Sequence, residues 1–311
     1  MNPAFSVVVF TVVAGAAQGL VVALAIAFIA GLQVGPGFAS VVLVIAAVML
    51  VVGLGSSFLH LGRPERAWRA ATMWRTSWLS REVIALPGFI AVVALWWLAA
   101  FAGASAVWVA MLLPALALVA AASLWLCTAM VYACIRFIEE WAHPLTFVNF
   151  VLIGLASGFL LAVALAASSG EAEVVRRLGP AALALTLVAW ACRAFALHRN
   201  AGLRHRSTLQ SATGVHSPRL VQTSMGMSAG SFNTREFFHR ASQAALRRIR
   251  LALFVLGFAV PTLLAVVAIA TGSTAAWWLA VLVQLPGLLA DRWLFFAQAK
   301  HPQNLYYQVV S

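Results

Sequence analysis

The chain has 311 residues, of which 63% are apolar and 9% charged, and a mean hydropathy of +0.97. A water-soluble domain of this length carries charge on about a quarter of its residues, so these proportions exclude a soluble globular fold and indicate an integral membrane protein. The net charge of +12 does not indicate nucleic-acid binding, because the basic residues fall between uncharged runs of 18 or more residues and form no single stripe.

Crossing about 30 Å of hydrocarbon at about 1.5 Å per residue takes roughly 20 apolar residues in a helix. Runs of that length lie near 5–31, 38–60, 83–103, 106–138, 145–168, 180–197, 249–272 and 276–298. The expected fold is therefore all-α, a polytopic membrane protein with eight transmembrane helices in a single domain, 1–311. The first run has no Lys or Arg ahead of it, so it lacks the basic start of a cleaved signal peptide and reads as a membrane helix. Gly35-Pro36-Gly37 closes the first run, Gly62 and Pro64 the second, and Gly179-Pro180 precedes the sixth, as helix stop signals do. The fourth run is long, which predicts tilt or a protruding end carrying Arg136, Glu139 and Glu140. At that end Tyr132, Arg136 and Glu140 follow i, i+4 spacing, read as an ion pair on the helix surface.

An even number of spans puts both termini and the 2–3, 4–5 and 6–7 connections on one side. That side collects seventeen of the twenty Lys and Arg residues, the other side holds Arg176 and Arg177, and Arg193 lies inside the sixth span. The positive-inside rule then predicts that both termini are cytoplasmic. The 6–7 connection is a basic cytoplasmic loop at about 198–248, far longer than the usual link between neighbouring helices. Within it Asn233-Thr234-Arg235-Glu236 has capping-box spacing, and Phe237, Phe238, Ala241, Ala244 and Ala245 recur at helical intervals, which predicts an interfacial helix. Two readings of the loop stand: a basic segment held to anionic headgroups, or a docking platform for a cytoplasmic partner.

The chemistry-bearing residues concentrate in the 2–3 connection, from Ser56 to Glu82. His60 ends the second run and Glu82 falls in the first turn of the third, at one interface level if the two helices pack together. A lipid-soluble quinone exchanges electrons together with protons, so its site needs an apolar approach, hydrogen-bonding groups and titratable residues leading to water; His60 and Glu82 meet the last two needs. The competing reading is structural: a His at a helix C-terminus and a Glu in a first turn are both favoured by the helix dipole, with Ser80 as an N-cap. Arg63, Arg66, Arg69 and Arg75 individually read as orientation determinants or headgroup contacts ahead of ligands, and Trp68, Trp74 and Trp78 read equally as an interfacial aromatic belt or a ring-stacking site. Asp291-Arg292, near the end of the eighth run, must find partners on other helices or line a proton path. The three cysteines, Cys127, Cys134 and Cys192, form no CxxC pair, so neither a zinc site nor an iron–sulfur cluster held by cysteine is expected. His60, His143 and His198 sit at span ends, and a haem between two histidines is likewise not expected, because the imidazoles must converge on one buried plane. Gly53-Leu54-Gly55-Ser56-Ser57 reads as a close helix contact, not a nucleotide loop.

The stretch His60-Leu61-Gly62-Arg63-Pro64-Glu65-Arg66-Ala67, followed by Ser77-Trp78-Leu79-Ser80-Arg81-Glu82, resembles the signature of the dimethyl sulfoxide reductase membrane-anchor family. The eight spans and the ending Arg292-Trp293-Leu294-Phe295-Phe296 with His301-Pro302-Gln303-Asn304-Leu305-Tyr306-Tyr307 extend the resemblance over most of the chain. The resemblance implies a quinone-reactive anchor without haem, in the bacterial inner (cytoplasmic) membrane. It further implies two partners: a molybdopterin catalytic subunit and a ferredoxin-like iron–sulfur subunit. It matches the family's quinone-site His and Glu to His60 and Glu82, the proton-handling pair; Arg63, Trp78 and Arg81 beside them complete the expected site for quinone, ubiquinone or menaquinone, and Asp291 and Tyr132 are the expected proton path. In the dimethyl sulfoxide reductases the catalytic subunits face the periplasm beside the 2–3 connection, whereas here that connection is strongly basic. The charge pattern instead resembles complexes whose catalytic subunits face the cytoplasm and oxidise sulfite, and the opening Met1-Asn2-Pro3-Ala4-Phe5-Ser6 looks like that of their anchors. Sulfite oxidation coupled to quinone reduction is the expected reaction; a quinol-oxidising reductase anchor, a purely structural anchor and a transporter are the alternatives.

Overall fold

A computed structural model describes residues 1–59, 61, 63–103, 107–224, 234 and 237–306, with side chains left out at 107–110. Among the described residues there is no β-strand, and eight helices are long and apolar enough to cross a membrane. They are α1 (Phe5–Ile29), α2 (Pro36–Phe58), α3 (Trp78–Phe101), α4 (Val107–Ala133), α5 (Pro144–Ser168), α6 (Ala172–Ala201), α8 (Gln243–Thr271) and α9 (Thr274–Ala297). Short pieces accompany them: a 3-10 segment, Pro64–Met73, before α3, a five-residue α7, Leu209–Thr213, after α6, and a second 3-10 segment, Pro302–Tyr306, after α9.

In hydrocarbon every backbone N–H and C=O must be satisfied within the chain, which leaves helices and closed barrels, and apolar runs of about 20 residues without alternation are of helix, not strand, length. The enclosed helices are α1 and α5, with 67% and 72% of their most apolar windows buried, against 22% for α3 and 28% for α6. The α1–α5 contact depends on the absence of side chains, since a Cβ on Gly158 would overlap the backbone of Gly19, and one on Gly154 would come within 2.9 Å of the Gly15 carbonyl oxygen. Small residues at such crossings let two backbones approach without leaving a void.

Contacts between connections define two ends. At one, the Gln33 and Gly35 amides donate to Glu173 and Glu171 at 3.3 and 3.1 Å, and the Trp278 indole donates to Ser168 at 2.7 Å. At the other, the Met1 amine donates to the Ala297 and Ala299 carbonyls at 3.1 Å, the Lys300 amide donates to Glu140 at 3.4 Å, and His205 lies 3.5 Å from Glu140. The second end therefore gathers the N-terminal residues, the 4–5 and 6–7 connections and the segment after α9.

Several expected boundaries are corrected. Helix α4 ends at Ala133 and not near 138, because Ile138 and Trp141 turn back into an aromatic core and the Trp141 indole donates to the Phe295 carbonyl at 3.0 Å. Arg136, Glu139 and Glu140 are thus in a turn, and the expected i, i+4 pair along the helix does not form: buried Glu140 faces His205 and the Lys300 amide instead. Helix α6 starts at Ala172 and takes Arg176, Arg177 and Pro180 into its 30 residues. At the start of α3 the N-cap is Ser77, whose hydroxyl accepts from the Ser80 amide at 3.3 Å, so Ser80 is not the cap and Glu82 lies in the second turn, not the first.

The expected interfacial helix is also relocated. Asn233, Arg235 and Glu236 of its start lie outside the described residues, and Phe237–Ser242 is not helical. Arg240 takes a positive φ of 54°, which no helix can continue through, and the helix begins only at Gln243, where the Ser242 hydroxyl accepts from the Ala245 amide at 3.2 Å. That helix runs directly into the seventh span. Midway, Val255–Ala259 forms a π turn, to which Gln284 of α9 donates through the Gly257 carbonyl at 3.4 Å. The residues before Gln243 are folded onto the bundle end: the Phe237 ring stacks on His301 with centroids 4.2 Å apart, Asn304 donates to the Phe237 carbonyl, and the Tyr306 hydroxyl donates to Ala212.

Candidate functional site

The 2–3 connection lies at the end that carries the 4–5 and 6–7 connections. Pro64 starts its 3-10 segment, in which no residue is buried, and Trp68, Met73 and Trp74 are exposed. Arg81 shapes the return into α3. Its guanidinium donates to the Trp74 and Arg75 carbonyls, each at 2.9 Å, and lies 4.2 Å from the centre of the Trp78 ring. This Arg–Trp stack and double carbonyl cap hold the connection in one shape directly before Glu82.

Glu82 is the buried carboxylate of this region, 7% exposed, and the Thr128 hydroxyl of α4 donates to its Oε1 at 2.5 Å. A carboxylate at membrane depth is costly unless it is paired or used, and here one neutral donor engages one oxygen. Of the other expected site residues, Arg63 is exposed, Trp78 is half-buried under Arg81, and His60 lies outside the described residues.

Thr128 and Tyr132 are one helical turn apart on the same face of α4. Tyr132 enters an aromatic cluster with Trp141, Phe150, Phe295 and Phe296, ring centroids 5.3 to 5.9 Å away. Phe150 and Phe295 of that cluster also meet the Arg292 guanidinium, 3.8 and 6.0 Å from their ring centres, so the face that meets Glu82 continues toward α9. On α9, Asp291 and Arg292 are 1% and 3% exposed. The partner of Asp291 is Arg193 of α6, also 3% exposed, whose Nε donates to Oδ1. Arg292 lies 3.8 Å over the Phe150 ring, with its Nε 4.0 Å from Asp291 Oδ2.

The Arg193–Asp291 pair is the feature that reading the residues one span at a time misses, since Arg193 stands out only as a charge inside α6. The signal is available by elimination: a guanidinium inside a span requires a carboxylate at similar depth, and Asp291 is the acidic residue that falls within the apolar runs.

The family model described as DMSO reductase anchor subunit (DmsC) matches residues 1–298. The chain is also 48% identical, over an alignment of 327 positions covering 100% of both chains, to a sulfite dehydrogenase subunit of Allochromatium vinosum.

Proposed function

Because the chain belongs to the DMSO reductase anchor subunit family, we propose that it is the membrane-embedded, quinone-reactive subunit of a three-subunit molybdopterin oxidoreductase, coupling sulfite oxidation on a partner to quinone reduction in the membrane. The observation that carries this reading is Glu82: a buried carboxyl group on a helix that exposes the neighbouring apolar Leu79 and Ile84, beside a connection capped by Arg81. These residues fit a quinone, which needs an apolar approach and a hydrogen-bonding group at its ring oxygen. Quinone, when bound, supplies the two-electron chemistry, with electrons arriving from a partner's iron–sulfur cluster.

The chain's own part is to bind and to manage protons. Thr128 engages Glu82 Oε1, leaving Oε2 as the oxygen that holds and releases a proton. In this reading His60 and Glu82 are the proton-handling pair, Arg63, Trp78 and Arg81 complete the quinone-binding set, and Tyr132 and Asp291 form the proton path. The seventeen basic residues support an orientation with the partners and both termini in the cytoplasm. The name of the Allochromatium vinosum relative, a sulfite dehydrogenase subunit, supports the choice of sulfite. The family's name supports a second reading, an anchor that oxidises quinol for a terminal reductase.

The test is Glu82→Gln in the intact complex. Turnover from sulfite to quinone should fall by a factor of about a hundred or more, as for loss of a general acid–base group, while sulfite-dependent reduction of an artificial acceptor persists. Equal activity with quinone in both proteins would remove Glu82 from the site. A complex that reduces dimethyl sulfoxide from quinol, with no sulfite activity, would establish the second reading.

A further inference from the structure

Among the described residues the buried carboxylates are Glu82, Asp291 and Glu140, and the proposed function uses the first two. Glu140 lies outside the spans, in the turn between α4 and α5, with 6% of its surface exposed. A carboxylate removed from water needs close partners, but those of Glu140 are long. His205 Nε2 is 3.5 Å from Oε1, and the Lys300 amide is 3.4 Å from Oε2. The His205 side chain is 28% exposed, so its ring meets both water and the buried carboxylate.

Glu140 also lines a narrow polar space between the ends of α5, α6 and α9, together with Asn149, Arg193 and Arg292. The space has room for about one water molecule, and Asn149 Oδ1 is a buried acceptor with no donor in the protein. Its lining includes both arginines that hold Asp291, Arg193 on Oδ1 and Arg292 at 4.0 Å from Oδ2. Glu140 therefore stands between a histidine in contact with water and the surroundings of Asp291. The charged and titratable groups that face it are His205 from the 6–7 connection, the Met1 amine and, around the space, Arg193 and Arg199 of α6, Arg292 of α9 and His143 at the start of α5.

We propose that His205 and Glu140 form the entrance by which protons from water reach the Asp291–Tyr132 path, an assignment that rests on the quinone reading above. Reducing a quinone takes up protons together with electrons. The electrons come from the partner, and the protons must be replaced from the aqueous side. An imidazole accepts a proton at one nitrogen and releases one from the other; Glu140 receives it, and a water in the narrow space carries it on toward Asp291. No covalent bond or electron is exchanged at either residue. The structural alternative is that Glu140 only clamps the 6–7 connection. Neighbouring Glu139 clamps the same connection, accepting from the Arg206 amide at 2.9 Å, and does not line the space, so the two roles separate by mutation.

The test measures turnover from sulfite to quinone against pH in the intact complex, for Glu140→Gln, Glu140→Asp, His205→Gln and Glu139→Gln. Glu140→Gln should lose about tenfold or more, and more at alkaline than at acid pH, because proton supply limits the rate where protons are scarce. Formate, small enough to carry protons inward, should restore part of that rate. Glu140→Asp should retain most of the activity, His205→Gln should show the same pH-dependent loss to a smaller degree, and Glu139→Gln should match the parent. Sulfite-dependent reduction of an artificial acceptor should be unchanged in all four. His205→Gln alters a partly exposed residue of the connection and decides the matter if Glu140→Gln does not assemble. A loss that is equal at every pH and untouched by formate, an equal loss in Glu139→Gln, or parental turnover in both Glu140→Gln and His205→Gln overturns the proposal. Failure of the quinone reading is distinct, showing as undiminished turnover in Glu82→Gln measured alongside.

Discussion

At the scale of single residues, the hydrogen bond from Thr128 to Glu82 is the contact on which the candidate site turns. Thr128→Val keeps the volume and removes the donor, leaving a buried carboxyl oxygen unsatisfied. The expected cost is about 1–3 kcal/mol in stability, with a several-fold loss of quinone-linked turnover and unchanged artificial-acceptor activity; parallel assays and thermal unfolding in detergent check both. His143 gives a pH signature outside the membrane spans. Burial, and then the Arg199 cation, hold its imidazole below the ordinary value of 6.5. The unfolded chain therefore takes up the proton first, so the stabilising contribution is full above about 6.5 and disappears as pH falls through the lower folded value. Burial acts in the same direction on His239 and His301, reinforced by the nearby N-terminal ammonium. Melting temperature should thus fall on acidification, and His143→Asn, which retains an N-cap acceptor, should fall less. An identical acid loss in the variant would show that His143 takes no part.

At the scale of elements, apolar composition and helical length suffice to give the eight spans, but not what holds them in register. The α1–α5 crossing at Gly19 and Gly158 is set by backbone contact, and Gly257 of the π turn meets Gly287 of α9 in the same manner. Gly158→Leu should force the two central helices apart, at a cost of about 3 kcal/mol or more because it overpacks a contact with no room even for a Cβ. Loss of folded protein on size-exclusion chromatography in detergent is the expected readout, with exposed Gly55→Leu, whose Cβ would meet nothing within 4 Å, as the neutral control. The π turn is marked in the sequence by Pro261, which has no N–H to offer the Gly257 carbonyl four residues earlier, but that Gln284 of α9 supplies the missing donor is seen only in the fold.

At the scale of the whole molecule, one end of the bundle collects the 2–3 and 6–7 connections, the aromatic cluster around Tyr132 and the Arg193–Asp291 pair. If that end faces the cytoplasm, a reporter fluorescent only in the cytoplasm, fused after Ser311, should be active, and a periplasm-dependent phosphatase at the same position should be inactive. The reverse pattern would invert the orientation and, with it, the sidedness of the partners. The 2–3 and 6–7 connections are basic enough to make the prediction from charge alone, but the folding of residues 237–242 onto His301 and Asn304 commits part of the loop to the bundle and keeps it from forming a lipid-facing helix.

What the amino-acid sequence determines by itself is whatever depends on composition summed along the chain: membrane insertion, the number of spans and the family signature around Glu82. These follow because hydrocarbon selects on local polarity and length, and both are written in consecutive residues. What only the tertiary structure decides is pairing between distant residues. Thr128 for Glu82, Arg193 for Asp291 and His205 for Glu140 are separated by 46, 98 and 65 positions, and the turn that ends α4 early exists because Trp141 finds Phe295. Periodicity carries no information about such partners, because each contact is fixed by how the helices cross, and the crossings are fixed by where glycine lets two backbones touch.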